Sequence, residues 1–569
     1  MKKVLSTVVL AILLLSALGA VGENGFVETI RDGKLENGDI LKVEFLGVDT
    51  PTISYGEFDV AVFYMEYWSS IEGGVKIASK LFIPVGEAPP EGWPAKVWLH
   101  GFGGPGFDFW NWPFQGNDWR GRGYSAGMAF ACHGFVCISP WLPGAGPSQP
   151  FATYSPFSLE RNAQCAYDAF RAFKNLPEYF KEYRDLSKRA NIDVRIDFSR
   201  QVMSTNCISS PTLIYFASKM EENKDVKISC LIADTFLPSV AYLSHYIVPY
   251  SLECNPLVAS ASFALWAGPV YCLADYENWD MNLFFTEKAI ELFNTPIDTP
   301  VGKLPLMRSA QLEPLDKSDV AYPLYKAVEE DLGRKPTSMD ILNWTFTEEI
   351  RKFLYYDTLE DLLQDVFYRK YFANCDPFFE ENIDPFKIDI PLLVVGNGDN
   401  ESKHGMPSPD ERWHLIGEPR IETLRSWGWD VRVFHECGVK TTSMIESKGH
   451  AWVMQELKKI LYPVEITKPR EKRLYIMDKE IMPLPAGTLV VGKITVETST
   501  YPGEGVEKVE FYVDDTLKYV DEEESYKWIW NEFAIGEHKI KVVIYDSKGN
   551  ESEDEIGVMI FNLGGKMEK

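Results

Sequence analysis

The spacing of hydrophobic residues changes rhythm several times along the chain. Phe58, Val60, Val62 and Tyr64 alternate around Asp59, Ala61 and Phe63, and Val75 to Pro84 is a second β-rich run. A period of two predicts strands between residues 40 and 85. Short unbroken apolar runs then take over. Pro94 to His100, Gly134 to Ser139, Arg200 to Thr205 and Val226 to Ala233 read as buried strands. Between them lie a short helix of small residues (Ser125 to Cys132), a helix with Ala163, Ala166, Phe170 and Phe173 spaced by three and four, and a helix over Pro211 to Lys219. Near-continuous apolar strands alternating with helices predict a parallel sheet covered on both faces.

That alternation stops at Thr235. From there to Lys387 the chain reads as mostly helical and is rich in Tyr, Phe, Leu and Trp. A stretch of about 150 residues is too long for a loop and predicts a helical insertion. The α/β rhythm resumes with Pro391 to Val395, a helix near Pro409 to Trp427 and a strand at Val431 to Phe434. A last helix carries Val453, Leu457, Ile460 and Leu461 on one face and stops at Pro463. After a charged linker, Lys468 to Lys472, the pattern is β only: Val509, Phe511 and Val513 in one run, Ile540, Val542 and Ile544 in another. Several short strands within ~90 residues predict a β-sandwich. The expected division is a targeting segment at 1–22, an α/β core at 23–234 and 390–463, a helical cap at 235–389 and a β-sandwich at 470–564.

Composition narrows the function. Among 569 residues, 57 Lys and Arg face 83 Asp and Glu, for a net charge of −26. Such a chain repels phosphate backbones and anionic lipid surfaces, so nucleic acid is not an expected partner. Lys2 and Lys3, the apolar run Val4 to Leu18, and the small residues Ala17/Gly19 or Ala20/Gly22 form the three parts of a secretory signal. Export to the cell surface or medium is the expectation. No second stretch of 18 or more apolar residues is read in the sequence, so nothing else is expected to span a membrane. The nine Cys are dispersed and lack CxxC spacing, which speaks against structural zinc; their odd number leaves at least one unpaired within the chain.

Candidate chemistry gathers at the ends of the predicted parallel strands. His100-Gly101-Phe102-Gly103-Gly104-Pro105-Gly106 formally matches a dinucleotide fingerprint, but Pro105 removes a backbone donor and no acidic residue ends a second strand as that unit requires. It reads better as an oxyanion loop, with N–H groups around Phe102 and Gly103 facing a developing negative charge. In Thr205-Asn206-Cys207-Ile208-Ser209 an apolar strand runs straight into a helix, with small residues two before and two after Cys207. This is a nucleophile-elbow pattern with neither glycine. Ser209 is the rival nucleophile, in a poorer frame because Pro211 follows two residues later. Asp399, with Glu401 as its alternative, leaves a buried strand in Gly396-Asn397-Gly398-Asp399-Asn400-Glu401. His450, in Lys448-Gly449-His450-Ala451-Trp452, precedes the last core helix and is the expected base.

Taken in order, His100-Gly101 with Gly103-Gly104, Gly144-Ala145-Gly146-Pro147-Ser148, the Cys207 turn, Asp399 and Gly449-His450 resemble the α/β-hydrolase superfamily over about 55–234 and 390–463. The resemblance implies an eight-stranded, mostly parallel sheet with a cap inserted after its sixth strand. It also implies a Cys207–His450–Asp399 triad like that of dienelactone hydrolases. The thiolate would attack a carboxylic ester, thioester, lactone or peptide-like acyl bond, and N–H groups of Ile208 and of the Phe102–Gly103 loop would hold the oxyanion. No cofactor and no metal are implied. The tail, with Val506 to Asp514 and Tyr545 to Asn550, resembles bacterial Ig-like modules and implies attachment to a surface or polymer. Asp521 to Glu524 within it reads as a solvated loop rather than a calcium site, since no spaced ligand set is visible. The same residues allow a non-catalytic binding protein on an inactive hydrolase fold, an acyl peptidase or an acyltransferase.

Overall fold

The computed structural model describes residues 26–28, 35–50, 57–101, 122–239, 245, 249–299, 302–309, 321–378, 387–400, 408–439, 448–461, 464–499, 506–523, 526–546 and 551–564. Phe102, Gly103, Glu401 and the N-terminal segment 1–22 lie outside these residues. By internal contacts the chain forms two compact units, Met1–Ala451 and Trp452–Lys569.

The first unit is built on a ten-stranded sheet. Its strands are β1 (Phe26–Glu28), β2 (Ile40–Asp49), β3 (Val60–Ser69), β4 (Val75–Pro84), β5 (Trp93–Leu99), β6 (Val136–Pro140), β7 (Ile196–Asn206), β8 (Cys230–Asp234), β11 (Leu392–Val395) and β12 (Val431–Phe434). Within the helical insert, β9 (Pro296–Thr299) and β10 (Gly302–Pro305) form a separate hairpin that the sequence pattern did not announce. The main sheet runs β1-β2-β3-β4-β6-β5-β7-β8-β11-β12. From β6 to β12 every pair is parallel, and from β1 to β6 every pair is antiparallel. This is the α/β-hydrolase arrangement; β1 and β2 extend its antiparallel edge beyond the eight strands expected.

The chain leaves β5 for β6 on one side and returns to β7 on the other, so β5 and β7 flank a topological switch point. Helix α1 (Arg122–Ala131) covers one face, where Gly127 lies so close to Phe82 that a Cβ would fall 2.2 Å from its ring. Helices α2 (Leu159–Glu182) and α3 (Ser210–Ser218) cover the other. There Phe180 meets Phe63 edge-on at 5.4 Å, and Tyr167 stacks on Phe216 at 4.1 Å. Successive strand side chains point to opposite faces, which is why Phe82 serves one layer while Phe63 and its cross-strand partner Leu81 serve the other.

The insert has an apolar core of its own. Helix α4 (Pro256–Tyr276) starts at an Asn255 cap, whose Oδ1 accepts from Leu257 N at 2.9 Å. It is long and apolar enough to cross a membrane, with a mean hydropathy of 1.6, contrary to the expectation of no such run, yet 82% of that window is buried in the protein. Phe284 is the hub of the insert, ringed by Trp279, Phe285, Phe367, Tyr371 and Phe372 at 5.2–6.3 Å.

The second unit pairs two sheets around one core. A three-stranded sheet runs β13-β17-β20 and a seven-stranded sheet runs β15-β14-β16-β22-β21-β18-β19. Strands are β13 (Glu465–Lys468), β14 (Arg473–Ile476), β15 (Lys479–Pro483), β16 (Leu489–Val491), β17 (Ile494–Ser499), β18 (Val506–Val513), β19 (Thr516–Asp521), β20 (Lys527–Trp530), β21 (Ala534–Asp546) and β22 (Glu551–Asn562). Val496, Trp528 and Trp530 from the small sheet meet Val509, Phe511, Ile540 and Val542 from the large one. The alternation seen in the sequence is this inner face. Lys468, read as the start of a linker, ends a strand of the smaller sheet. Asp521 accepts the backbone N–H groups of Glu523 and Lys527, so its two oxygens shape the β19–β20 turn.

Candidate active site

Cys207 follows the last residue of β7 and opens the turn into α3. Its φ is +55°, left-handed backbone that non-glycine residues adopt at a cost of order 1–3 kcal/mol. Strain at this position is the mark of a strand-to-helix elbow that presents a side chain above the sheet. The neighbouring strand fits it closely: a Cβ on Gly101 would lie 2.9 Å from the Asn206 carbonyl oxygen and 3.0 Å from Cys207 Cβ. The first glycine of the predicted oxyanion loop is therefore needed for close approach.

The rest of the elbow is braced by hydrogen bonds. Ser209 is buried, and its hydroxyl donates to the His100 carbonyl; it holds β5 to the turn and is not free to act as the nucleophile. Ser210 Oγ donates to the Cys207 carbonyl at 2.6 Å. Asn206 Nδ2 donates to Asp234 Oδ2 at 3.3 Å, tying β7 to β8. His100 Nε2 accepts from Leu142 N at 3.0 Å, so its Nδ1 carries the proton shared with the Gly101 carbonyl at 2.7 Å. Burial lowers His100 to about 4, so it stays neutral and acts as a brace between loops.

The electrostatics of the thiol are mixed. Burial raises Cys207 above its ordinary value; Arg412 and the Ile208 N–H pull it down, and Asp234 pushes it up. The Ile208 N–H is thus near enough to favour a negative charge on the sulfur. Tyr154 also faces this turn, its ring 5.4 Å from His100 and its buried hydroxyl within electrostatic reach of Cys207. Cys207 and Ile208 rest against the edge of the insert's apolar core. A cavity of about 780 Å³ between the insert and the ends of α2 and α3, bordered by Phe157, Arg161, Tyr276, Trp279 and Tyr371, does not include the thiol.

A carboxylate and a histidine meet on the same edge of the sheet. Ser408 and Glu411 cap a short helix, α5 (Pro409–Arg412), in a reciprocal box. The helix then widens into a π turn over Trp413–Gly417 before continuing as α6 (Glu418–Ser426). Pro419 has no N–H to offer the carbonyl four residues earlier, which accounts for the wide turn. Asp410 Oδ1 lies 3.1 Å from Nε2 of His435, the residue directly after β12. His435 stacks on Trp413 at 4.7 Å and 11°. Burial lowers its pKa, against the opposing pull of Asp410, so the ring is neutral and able to accept a proton. Gly396 and Gly398 allow the loop after β11 to pass: added Cβ atoms would lie 2.8 Å from His435 Cδ2 and 2.0 Å from the Glu436 carbonyl oxygen.

The structure brings some of the expected residues together and separates others. Asp399 is half-buried on this edge, and its carbonyl accepts from Asp410 N at 3.2 Å. His450 is fully buried elsewhere, edge-on to Phe130 at 5.2 Å and tilted over His133 at 5.4 Å. His133 is three residues before β6, whose first residue Val136 is level with Ala95 and, through it, with Gln201. Gln201 is six residues short of Cys207, or roughly 20 Å along the strand. His450 therefore sits by the amino edge of the sheet, while Cys207, Asp410 and His435 occupy the carboxyl edge. Sequence reasoning passed over His435 and missed Asp410, Arg412 and Tyr154. Ser408-Pro409-Asp410-Glu411, a capping-box signal, could have drawn attention to Asp410 at the start of the helix expected near Pro409 to Trp427.

The sequence matches a family described as a bacterial Ig domain over residues 482–542. No curated protein matches the chain. A ligand-bound form of the rice cell wall degrading esterase LipA from Xanthomonas oryzae aligns at 14% identity and a TM-score of 0.45, covering 75% of this chain and 97% of that one. Candida antarctica lipase A in its closed state aligns at 9% identity and a TM-score of 0.39, covering 70% and 76%. The fibronectin(III)-like modules of Clostridium thermocellum CbhA align at 23% identity and a TM-score of 0.14, covering 17% of this chain and 93% of the other.

Proposed function

We propose that this chain is a hydrolase of carboxylic esters or related acyl bonds that works through a covalent intermediate on Cys207. The observation that carries the reading is the strained Cys207 backbone at the switch point, packed against Gly101. The thiol gives its proton to neutral His435, which Asp410 orients, and the sulfur attacks the substrate carbonyl. Ile208 N–H receives the developing oxyanion, with Phe102 and Gly103 as the further donors that the loop's sequence supplies. The C–O bond breaks as the protonated histidine gives its proton to the leaving alcohol. Water, deprotonated by the same histidine, then splits the thioester. Cys207, Asp410, His435 and the Ile208 N–H supply the acid, base and nucleophile of this sequence from the chain itself. Export and attachment through the Ig-like module complete the proposal.

The motif order alone points instead to His450 as the base with Asp399, because Gly449-His450 follows the last core strand; the packing of His450 on Phe130 and His133 at the amino edge of the sheet favours His435 over it. Intact-mass measurement after brief exposure to an activated ester tests the nucleophile. An acyl adduct on Cys207, absent in C207A, is expected, with turnover falling by about 10³-fold or more. A fully active C207A removes the proposal. H435Q and H450Q separate the two bases: the true base is the one whose loss stops ester cleavage.

A further inference from the structure

Among the described residues Arg412 has no counter-ion. It ends α5 at the carboxyl edge of the sheet, where Asp410 contacts His435 and a Cβ added to Gly417 in the following π turn would lie 3.4 Å from the Phe236 carbonyl oxygen beyond β8. Its Nε is buried without a hydrogen-bond partner. Its charge acts on Cys207, which packs against the same apolar cluster as Ile416 four residues on. The other acid facing the thiol, Asp234, is engaged by Asn206. Three other arginines among the described residues are matched by carboxylates: Arg161 pairs with Glu72, Arg171 with Asp168 and Asp225, and Arg200 with Asp197. Arg412 is half-buried with its Nε shut away from any partner, and a cation held this way is matched best by an anion from outside.

We infer that Arg412 forms an anion subsite beside Cys207 and selects substrates that carry a free carboxylate close to the scissile acyl bond, such as half-esters of dicarboxylic acids. A planar guanidinium can hold a carboxylate through two parallel N–H bonds, fixing orientation as well as charge. The substrate class rests on the hydrolase reading above; the subsite itself does not.

Paired alkylators separate the two. Iodoacetate and iodoacetamide react identically: the thiolate sulfur attacks the methylene carbon, a C–S bond forms and iodide leaves. They differ in bearing a carboxylate or a neutral amide. The rate at Cys207, read by peptide mass spectrometry, is expected to give an iodoacetate-to-iodoacetamide ratio about tenfold or more above that of glutathione, the size of one charge-assisted contact. Cys437 is an internal control: it is exposed and donates to Asp410 at 3.3 Å, so it has a carboxylate beside it and its ratio should fall below that of glutathione. Acetate at tens of millimolar should bring the Cys207 ratio down, and R412Q should abolish the preference, with R412K keeping part of it. A Cys207 ratio within about twofold of glutathione, or an R412Q protein that still folds and keeps the preference, overturns the subsite; if R412Q does not fold, failure of acetate to compete in the unmodified protein overturns it. With 4-nitrophenyl hemisuccinate and 4-nitrophenyl pentanoate, the first should have the higher kcat/KM through a lower KM, and R412Q should remove that difference. A high alkylation ratio without ester cleavage keeps the subsite and sinks the hydrolase reading. Neutral-ester cleavage on Cys207 with a flat alkylation ratio does the reverse.

Discussion

A thiol attacks only as its thiolate, so the residue-scale question is what decides the proton on Cys207. Burial raises its pKa first, and the Arg412 charge and the Ile208 N–H offset part of that rise. The sign follows: a raised pKa makes the thiolate a minority at neutral pH in the free protein. Iodoacetamide labelling of Cys207 should therefore keep climbing through pH 9 instead of levelling at 8. R412Q should move the curve to higher pH, because it removes a cation that favours the thiolate, and D234N to lower pH, because it removes an anion that opposes it. A curve levelling near pH 7 would show a further activating neighbour beside the thiol and overturn this balance of charges. Cys207 itself was legible, since a buried strand running into a helix with small residues on either side is a local pattern. Arg412 and Tyr154 were not, because their proximity to the thiol is made by tertiary packing. Ser209 looked like a rival from spacing alone; its hydroxyl turns out to be spent on the His100 carbonyl.

At the scale of elements, the elbow is a joint between β5 and β7 more than a property of one loop. Gly101 is the contact point, and G101A should force Asn206 and Cys207 apart. Overpacking of this kind typically costs about 1–3 kcal/mol. That strain falls on Asn206 and on the adjoining residue proposed as nucleophile, so ester turnover should fall more steeply than thermal stability. A G101A protein of lowered stability but normal turnover would show that the joint is structural only. The strands that build this joint were readable because buried parallel strands are nearly unbroken apolar runs, and the interruption after β8 was readable from the loss of that rhythm. The proposed base was harder to read. His435 follows a strand of four residues, and the carboxylate beside it lies on a capped helix in a different part of the sequence. The order Asp399 then His450 looked complete from spacing, yet the packing around Phe130 and His133 places His450 at the other end of the sheet.

At the scale of the whole molecule, the two units have separate apolar cores and separate sequence textures. The strands of the second unit bury Val509, Phe511, Ile540, Val542, Trp528 and Trp530 against one another, and none of Cys207, Asp399, Asp410, His435 and His450 belongs to it. A unit that closes its own core meets the requirement for independent folding. The texture change after Pro463 made this division legible; the exact boundary was not, since compactness places it within the last core helix, Lys448–Leu461, while sandwich strands begin at Glu465. A chain ending at residue 463 keeps the whole of that helix and every residue proposed for chemistry. It should be soluble and cleave a small activated ester with kcat/KM within about threefold of the full chain, since the contribution of an attachment module is to local concentration and is not exerted on a small diffusible ester. On a polymeric or surface-bound ester the same truncation should lower the rate much further, because the module would then no longer hold the enzyme near its bonds. Equal losses on both substrates, in a truncated protein that remains folded and monodisperse, would mean that the Ig-like unit helps to build the site, and the attachment role would have to be given up.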